Sequence, residues 1–188
     1  MYAVIEGIDT AGKSTQLDIL RKKYQDAIFT KEPGGTKLGL KLRQMALNGE
    51  AKSKIAEMFL FLADRAEHIN EIVKTNMDKM IISDRSVISG IAYALDMPLQ
   101  TVIKLNLIAT SNTLPTHIIL LELSKEELTK RLEGKLNDSI ESRGIDYLLD
   151  IQNRMKKTVE MLNLNHIYID ASLSIEEISK KIEDFIND

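Results

Sequence analysis

The chain of 188 residues contains no cysteine, which excludes disulfide bonds, thiolate metal sites and cysteine nucleophiles. Its three histidines are far apart in sequence, which disfavours a zinc site. No apolar run reaches the length of a membrane span, and the first residues lack the pattern of a secretory signal. The formal net charge of −3 provides no basic field for unaided nucleic-acid binding. These absences predict a cytoplasmic protein that binds neither nucleic acid nor membranes.

The remaining composition is that of an ordinary globular domain. Hydrophobic residues make up 44% of the chain and charged residues 28%, close to the average for folded proteins. Without internal repeats or a low-complexity linker, a chain of this length predicts a single domain over residues 1–188. Because the chain has only nine glycines, we expect their positions to matter.

Short apolar runs separated by helix-length segments indicate the fold class. Each run is rich in β-branched or other apolar residues and is bounded by polar residues or glycine, as buried parallel strands are. The alternation predicts an α/β protein built from βαβ units, with a five-stranded parallel sheet flanked by helices. The predicted strands are Tyr2 to Ile5, Ala27 to Thr30, Met80 to Ser83, His117 to Leu121 and His166 to Ile169.

Helix starts are marked by two serine-x-x-glutamate patterns, Ser124 with Glu127 and Ser174 with Glu177, which have the spacing of a capping box. Apolar residues near helical spacing predict one long helix from about Ser53 to Asn76. The polar segment from 136 to 144, which contains Asn, Asp and Gly, predicts a surface loop.

A phosphate-binding loop follows the first predicted strand. Residues 7–14 spell G-x-x-x-x-G-K-S and precede a helical pattern that begins near Lys13, the context that this motif requires. Its backbone N–H groups and the helix N-terminus favour an anion, Lys13 would neutralise the β- and γ-phosphates, and the Ser14 hydroxyl would ligate Mg²⁺. The alternative is a glycine-containing turn that matches the motif by chance and carries a solvated lysine. The residues predicted to bind ATP here are Gly7, Ile8, Asp9, Thr10, Ala11, Gly12, Lys13, Ser14 and Thr15.

Polar residues also follow the next two strands. Asp84 ends the third strand, where a carboxylate would face the ligand crevice and hold Mg²⁺; a helix-capping role is the alternative. Arg85 would place a guanidinium on a phosphate in the same crevice. The segment Lys31 to Thr36, with its proline and paired glycines, predicts an irregular turn at the crevice edge.

Taken together, the motifs resemble those of the thymidylate kinase family. They are the loop GIDTAGKST, the turn KEPGGT with Arg43 downstream, the segment FLADRAEH, and Asp84-Arg85 followed by Ser89 and Ala92-Tyr93. Their order and spacing match the family across the first half of the chain, and the second half matches more loosely. The resemblance implies a three-layer P-loop kinase fold with a short lid at about 134–146. The implied activity is ATP-dependent phosphorylation of dTMP to dTDP for dTTP synthesis.

The resemblance also assigns roles on the acceptor side. It puts Glu32 near the transferring phosphate and its metal, and Arg43 and Arg85 on the acceptor phosphate. Phe61 would stack on thymine and Arg65 would hydrogen-bond the edge of the base. Read alone, the same two side chains are a core aromatic and a helix-surface ion pair.

Further roles come from the same resemblance. Asp9 would reach the 3′-hydroxyl of the acceptor sugar. Tyr93 would lie against C2′ of the same sugar; the alternative is that Tyr93 is a half-buried residue with a structural role only. Arg131 would pack on adenine, and Arg143 of the lid would stabilise the transferred phosphoryl group in the bacterial-like manner, with a solvated loop arginine as the alternative. The catalytic residues that the resemblance implies are Lys13, Glu32, Arg85 and Arg143. Pro33 and Ser89 complete the set of residues expected to bind the substrate. Relatives in this family are commonly homodimers.

Two positions depart from the family pattern. Ser86 stands where tyrosine is common after the Asp-Arg pair, and Ala94 stands where bacterial members carry a glutamine that would bind the thymine edge. Two other functions stay open on sequence grounds: a kinase for another nucleotide or a nucleoside, and a P-loop protein that senses ATP for a partner. The string N-K-x-D, which recognises guanine, is absent from the chain, which disfavours a GTPase switch.

Overall fold

The computed structural model describes residues 1–133 and 144–188. Of the predicted lid, residues 134–143 lie outside this description, and Arg143 with them. Gly144, with φ of 89°, precedes the helix that begins at Ile145. No helix in the described part of the chain is long and apolar enough to cross a membrane.

Five strands form one sheet in which every neighbouring pair is parallel. The order is β2-β3-β1-β4-β5, so β1 lies at the centre and all five of its residues are buried. Each strand end lies within one residue of its predicted position, which confirms the predicted α/β class. The strands are β1 Tyr2–Glu6, β2 Ile28–Lys31, β3 Ile81–Asp84, β4 His117–Glu122 and β5 His166–Asp170.

The helices connect these strands and flank the sheet. The described helices are α1 Lys13–Lys23, α2 Lys37–Leu47, α3 Lys54–His68, α4 Val87–Tyr93, α5 Leu99–Ala109, α6 Lys125–Leu132, α7 Ile145–Met161 and α8 Ile175–Asn187. The connection from β1 to β2 runs across the sheet in the direction opposite to the later connections. Since crossovers between parallel strands are right-handed, this reversal puts α1 on the other face from the helices between later strands. The contacts agree, because α1 packs on α8, whereas α4 packs on α5 and α7.

The predicted long helix from Ser53 to Asn76 changes its winding partway. Ser53 caps α3, its side chain accepting a hydrogen bond from the N–H of Ala56. After α3 ends at His68, a π-helical segment covers Ile69–Val73 and a 3₁₀ turn covers Lys74–Asn76. Periodicity predicts the extent of the helix but not this change, because the apolar spacing of α- and π-helical turns differs little over five residues.

The two predicted caps form to different degrees. At α8 the Ser174 side chain accepts from the N–H of Glu177, and the Glu177 carboxylate accepts from the N–H of Ser174, so the capping box is complete. At α6 the Ser124 side chain accepts from the N–H of Glu127. Both serines begin their helices as predicted.

The strand register brings three loops to one edge of the sheet. Ile5 of β1 and Lys31 of β2 are each paired with Asp84 of β3. The segments that follow these three strands therefore begin side by side. Because the direction of the connections reverses at β1, this edge is the place where open parallel sheets bind ligands.

Candidate phosphate and nucleoside site

The loop after β1 has the backbone that its glycines allow. Gly7 has φ of 148°, and a Cβ there would lie 2.9 Å from the carbonyl oxygen of Leu121. Gly12, with φ of 94°, occupies the N-cap of α1. A side chain at either position would be strained. The loop from Asp9 and the first turn of α1 line the cleft.

Lys13 lies back against this loop. Its Nζ donates to the carbonyl oxygens of Gly7, at 2.9 Å, and Ile8, at 3.0 Å. The residue is only 8% exposed. Burial, with a smaller contribution from the positive charge of Arg85, lowers the pKa of Lys13 to about 8. A nearby anion would stabilise the charged form.

Oxygen donors suited to Mg²⁺ lie beside Lys13. Oδ1 of Asp84 is buried and has no hydrogen-bond partner among the described residues. Ser14, in the first turn of α1, is exposed at the cleft. Among the described residues, no group of three or more His, Cys, Asp or Glu side chains could hold a metal ion. This donor set fits Mg²⁺, which usually takes one or two protein ligands together with phosphate and water.

Arg85 brings three predicted site residues together. Its NH2 donates to Oδ1 of Asp9 at 2.6 Å, and its NH1 donates to Oγ of Ser89 at 3.0 Å. The guanidinium lies 5.5 Å from the centre of the Tyr93 ring. Arg85 itself has a positive φ of 67°, which is uncommon for a residue other than glycine. The hydrogen bond from Arg85 to Asp9 therefore connects the end of β3 to the phosphate-binding loop.

Glu32 is buried at the end of β2, with 3% of its surface exposed. Its Oε2 accepts from Nε of Arg65 at 2.8 Å, and its Oε1 accepts from Nδ1 of His68 at 2.7 Å. On the other side of the ring, Nε2 of His68 lies 2.8 Å from Oγ1 of Thr30. Burial raises the pKa of Glu32, but Arg65 and His68 outweigh it, so that the pKa lies below its ordinary value.

Arg65 is a buried member of this cluster and not a surface residue. It is 4% exposed, its NH1 donates to Oδ1 of Asn106 at 2.6 Å, and its NH2 donates to the carbonyl oxygen of Ser86 at 3.3 Å. A Cβ at Gly90 would lie 2.4 Å from NH2, so this glycine makes room for the guanidinium. The sequence allowed Arg65 to be either a donor to the base edge or part of an ion pair on the helix surface. The second interpretation is wrong, because the side chain is buried.

One cleft of about 1250 Å³ contains the remaining predicted residues. Phe61 is half-buried at its wall and is not part of the hydrophobic core. NH1 of Arg43 donates to the carbonyl oxygen of Pro33 at 3.1 Å. Predicted site residues lining the cleft are Asp9, Thr10, Ala11, Gly12, Lys13, Ser14, Thr15, Glu32, Pro33, Arg43, Phe61, Arg65, Asp84, Arg85, Ser89, Tyr93 and Arg131.

Arg131 of α6 lies at the phosphate-loop end of the cleft. Its Nε pairs with Glu127, while its terminal nitrogens donate to the carbonyl oxygens of Thr10, at 3.0 Å, and Ala171, at 2.6 Å. It therefore joins the phosphate-binding loop to the turn after β5. The structure brings all predicted site residues of the described chain to the cleft or its lining loops, and Arg143 lies outside the described residues.

Sequence reasoning missed Glu6, the last residue of β1. It is fully buried, and its carboxylate accepts from Oγ of Ser86 at 2.7 Å and from both Oγ and N–H of Ser89, at 2.5 Å and 3.2 Å. Burial raises its pKa. The contacts join the central strand to the start of α4, next to Arg85. A charged residue ending an otherwise apolar strand was the available signal.

His68 and Asn106 were also missed as site residues. Both are buried, and both contact a residue of the Glu32–Arg65 pair. His68 stands at the end of the FLADRAEH segment, so the motif itself pointed to it. Asn106 lies 41 positions from Arg65, and no sequence pattern connects the two.

Comparison with known proteins agrees with the geometry. The family model described as Thymidylate kinase matches residues 5–182. The chain is 71% identical to a thymidylate kinase of Aliarcobacter butzleri over 187 residues, which cover 100% of this chain and 99% of that protein. It is 52% identical to thymidylate kinases of Wolinella succinogenes, covering 97% of this chain and 96% of that protein, and of Sulfurimonas denitrificans, covering 100% of both. The fold is the predicted P-loop kinase fold, and the chain belongs to the thymidylate kinase family.

Proposed function

We propose that the chain transfers the γ-phosphoryl group of ATP to the 5′-phosphate of dTMP, producing dTDP and ADP, with Mg²⁺, in the cytoplasm. One observation carries the proposal: the phosphate-binding loop and the Phe61–Arg65 pair line a single cleft, and Arg85 lies in the same cleft. A cleft with a phosphate-binding end and an aromatic end suits two nucleotides whose phosphates meet.

On the donor side, the ATP phosphates would lie over the loop and the N-terminus of α1. Lys13 would leave the carbonyl oxygens of the loop for phosphate oxygens, which carry full negative charge. Ser14 and Oδ1 of Asp84, which has no hydrogen-bond partner in the described part of the chain, would hold Mg²⁺. When bound, this ion supplies charge neutralisation at the β- and γ-phosphates. Arg131 would contact the adenine.

On the acceptor side, Arg43 and Arg85 would hold the phosphate of dTMP. Asp9, which is bonded to Arg85, would reach the 3′-hydroxyl of the sugar. Tyr93 would exclude a 2′-hydroxyl, and Phe61 would stack on the base. Pro33 and Ser89 would complete the wall.

In the reaction, an oxygen of the dTMP phosphate attacks the γ-phosphorus as the bond to the β-phosphate oxygen breaks. The acceptor is already an anion, so the enzyme needs positioned positive charge more than a base. Lys13 and Arg85 would supply that charge, with Arg143 as the sequence-predicted third cation. Both oxygens of Glu32 are occupied by Arg65 and His68, and we propose that it acts by positioning.

Two neighbouring functions are weaker candidates. A nucleoside kinase has no use for both Arg43 and Arg85 on an acceptor phosphate. A P-loop protein that only senses ATP has no use for a second, aromatic-walled end of the cleft. Both alternatives make different predictions for ligand binding and products.

The test uses the purified full chain and two readouts. In the first, dTMP added without ATP should raise the melting temperature, because a ligand that binds only the native state stabilises it; an ATP sensor would ignore dTMP. In the second, chromatography should find dTDP and ADP in equal amounts after incubation with ATP, dTMP and Mg²⁺. Lys13→Ala is the inactive control. Absence of dTDP from the wild-type reaction contradicts the proposal.

We also propose that the protein is a homodimer that pairs through α3. Phe59, Ala63 and Ala66 are exposed along one face of this helix, four and three residues apart, and Phe59 is 52% exposed. They are not among the residues that line the cleft. An apolar face with small residues suits close packing against a second copy of itself. Light scattering should give twice the chain mass for the wild type and the single-chain mass for Phe59→Asp; a wild-type monomer contradicts the pairing.

A further inference from the structure

Among the contacts of the described residues, the guanidinium of Arg65 has two N–H groups left for a ligand. A guanidinium carries five N–H donors, and the described contacts use three of them: Nε to Glu32, NH1 to Asn106 and NH2 to the Ser86 carbonyl. Subtraction leaves one N–H on each terminal nitrogen. Because the group is planar and rigid, the three contacts fix where those two N–H groups point.

Asn106 accepts the shortest of these three hydrogen bonds, at 2.6 Å. It lies on α5, is 1% exposed, and its Nδ2 donates to the carbonyl oxygen of Val102 at 2.8 Å. Arginine can only donate and a backbone carbonyl can only accept, so both partners require the same orientation of the amide. The oxygen of Asn106 is thereby held towards Arg65.

The guanidinium also lies against α4. Gly90 leaves space that a methyl group would fill, since a Cβ there would lie 2.4 Å and 2.5 Å from NH2 and NH1. One turn later, Ala94 has only a methyl group where a longer polar side chain would reach the cleft. Recognition of the base therefore depends heavily on Arg65 and on whatever fixes its orientation.

We propose that Asn106 is a positioning residue that sets base selectivity by holding the two free N–H groups of Arg65 towards a carbonyl oxygen of a pyrimidine base. The inference rests on the proposed function, in which the base lies against Phe61 and Arg65. Thymine carries an oxygen acceptor at ring position 4, whereas cytosine carries an amino donor there. Two N–H donors held in place would hydrogen-bond the thymine oxygen, whereas the cytosine amino group would find no acceptor on Arg65.

Loss of the Asn106 oxygen should therefore weaken selectivity more than catalysis. Without that acceptor, the planar guanidinium keeps only Glu32 on Nε and the longer contact of NH2 to Ser86, so the whole group can tilt, and a small misplacement of a binding group has a large effect. We expect Asn106→Leu to lower the ratio of kcat/KM for dTMP to that for dCMP by about 10–100-fold. The KM for ATP should stay nearly unchanged.

The experiment compares Asn106→Leu with Asn106→Asp and with Asn153→Leu. An aspartate gives up the donation to Val102 but still offers Arg65 an oxygen acceptor, so Asn106→Asp should keep the wild-type ratio within a few-fold. Asn153 is exposed on α7 and outside the cleft lining, so its variant should match the wild type. Both substrates are measured on the same preparation, and the ratio is therefore independent of the folded fraction.

The outcomes separate the inference from the proposed function. A large fall with leucine and its rescue by aspartate support the positioning role. A wild-type preference for dTMP that Asn106→Leu retains contradicts the inference alone, and so does an equal fall with both substitutions. A wild-type enzyme that does not prefer dTMP contradicts the proposed function and the inference together.

Discussion

Nε of Arg65 donates a 2.8 Å hydrogen bond to Oε2 of Glu32, although both side chains are almost completely buried. The sequence motifs place these residues at opposite ends of the substrate, Glu32 near the phosphate and Arg65 at the base. The ion pair nevertheless joins them directly, and His68 extends it to Thr30 of β2. The site is therefore organised around a buried charged cluster.

Glu32 and Glu6 should give stability opposite dependences on pH. The pKa of Glu32 is lowered in the folded chain, so its contribution is present above its unfolded value of about 4.5 and is lost as the pH falls through the lower, folded value. The pKa of Glu6 is raised by burial, so its contribution is complete below about 4.5 and is lost as the pH rises through the higher, folded value. Urea unfolding of the wild type, Glu32→Gln and Glu6→Gln across acidic to neutral pH measures both.

At neutral pH, Glu32→Gln should lower the free energy of unfolding by about 3–5 kcal/mol, because it leaves Arg65 as an uncompensated buried charge. The stability advantage of the wild type over this variant should shrink with falling pH. Its advantage over Glu6→Gln should instead shrink with rising pH. Slopes of the same sign for the two variants would contradict the assignment.

Binding of ATP should be accompanied by proton uptake at a pH slightly above 8. The pKa of Lys13 is about 8 in the described chain because burial opposes its charge. Phosphate oxygens favour the charged form and raise this pKa, so a neutral Lys13 must take up a proton. Calorimetric binding enthalpies should therefore depend on the ionisation enthalpy of the buffer. Lys13→Arg, whose charge does not titrate there, is the control, and a wild-type enthalpy independent of buffer contradicts the prediction.

Asp84→Asn should raise the Mg²⁺ concentration required for half-maximal activity by at least about tenfold. Its Oδ1 is buried without a partner among the described residues, so the substitution removes a metal donor and breaks no hydrogen bond at that atom. Asp170→Asn, at the exposed end of β5, is the matched control. An unchanged Mg²⁺ requirement in Asp84→Asn would remove Asp84 from the metal site.

Phe61→Ala should raise the KM for dTMP by about tenfold or more while leaving the KM for ATP unchanged, because it removes a stacking surface from the nucleoside end. Steady-state kinetics with each substrate varied in turn measures this. Phe59→Leu is the control on the same helix, since Phe59 lies outside the cleft and leucine keeps an apolar side chain on the proposed pairing face. An unchanged KM for dTMP in Phe61→Ala would mean that this ring only supports the wall.

The sequence predicts the sheet and the phosphate end of the site well, because both depend on local patterns. Apolar runs ending at Gly7 and Asp84 mark strand ends, and the parallel arrangement then places the following loops together. The contacts of Arg65 could not be predicted in this way. Its partners Glu32 and Asn106 lie 33 and 41 residues away, after β2 and on α5, and the tertiary packing that includes α3 against α5 brings them to Arg65.

Local sequence patterns also do not predict the direction in which burial and its neighbours shift the pKa of a carboxylate. Glu6 ends the apolar strand β1 and Glu32 follows Lys31 at the end of β2, yet the first accepts hydrogen bonds from serines and the second from Arg65 and His68. Their pKa values consequently shift in opposite directions. The sign depends on tertiary neighbours and has no signal in the strand sequence.

The most direct test of the central claim is a competition among acceptors in one reaction. Equal concentrations of dTMP, dCMP, UMP and thymidine are incubated with ATP, Mg²⁺ and the wild-type chain, and the products are separated and counted at early times. The account predicts that dTDP forms at least about tenfold faster than any other product. Formation of dTDP no faster than the products of dCMP, UMP or thymidine would contradict it.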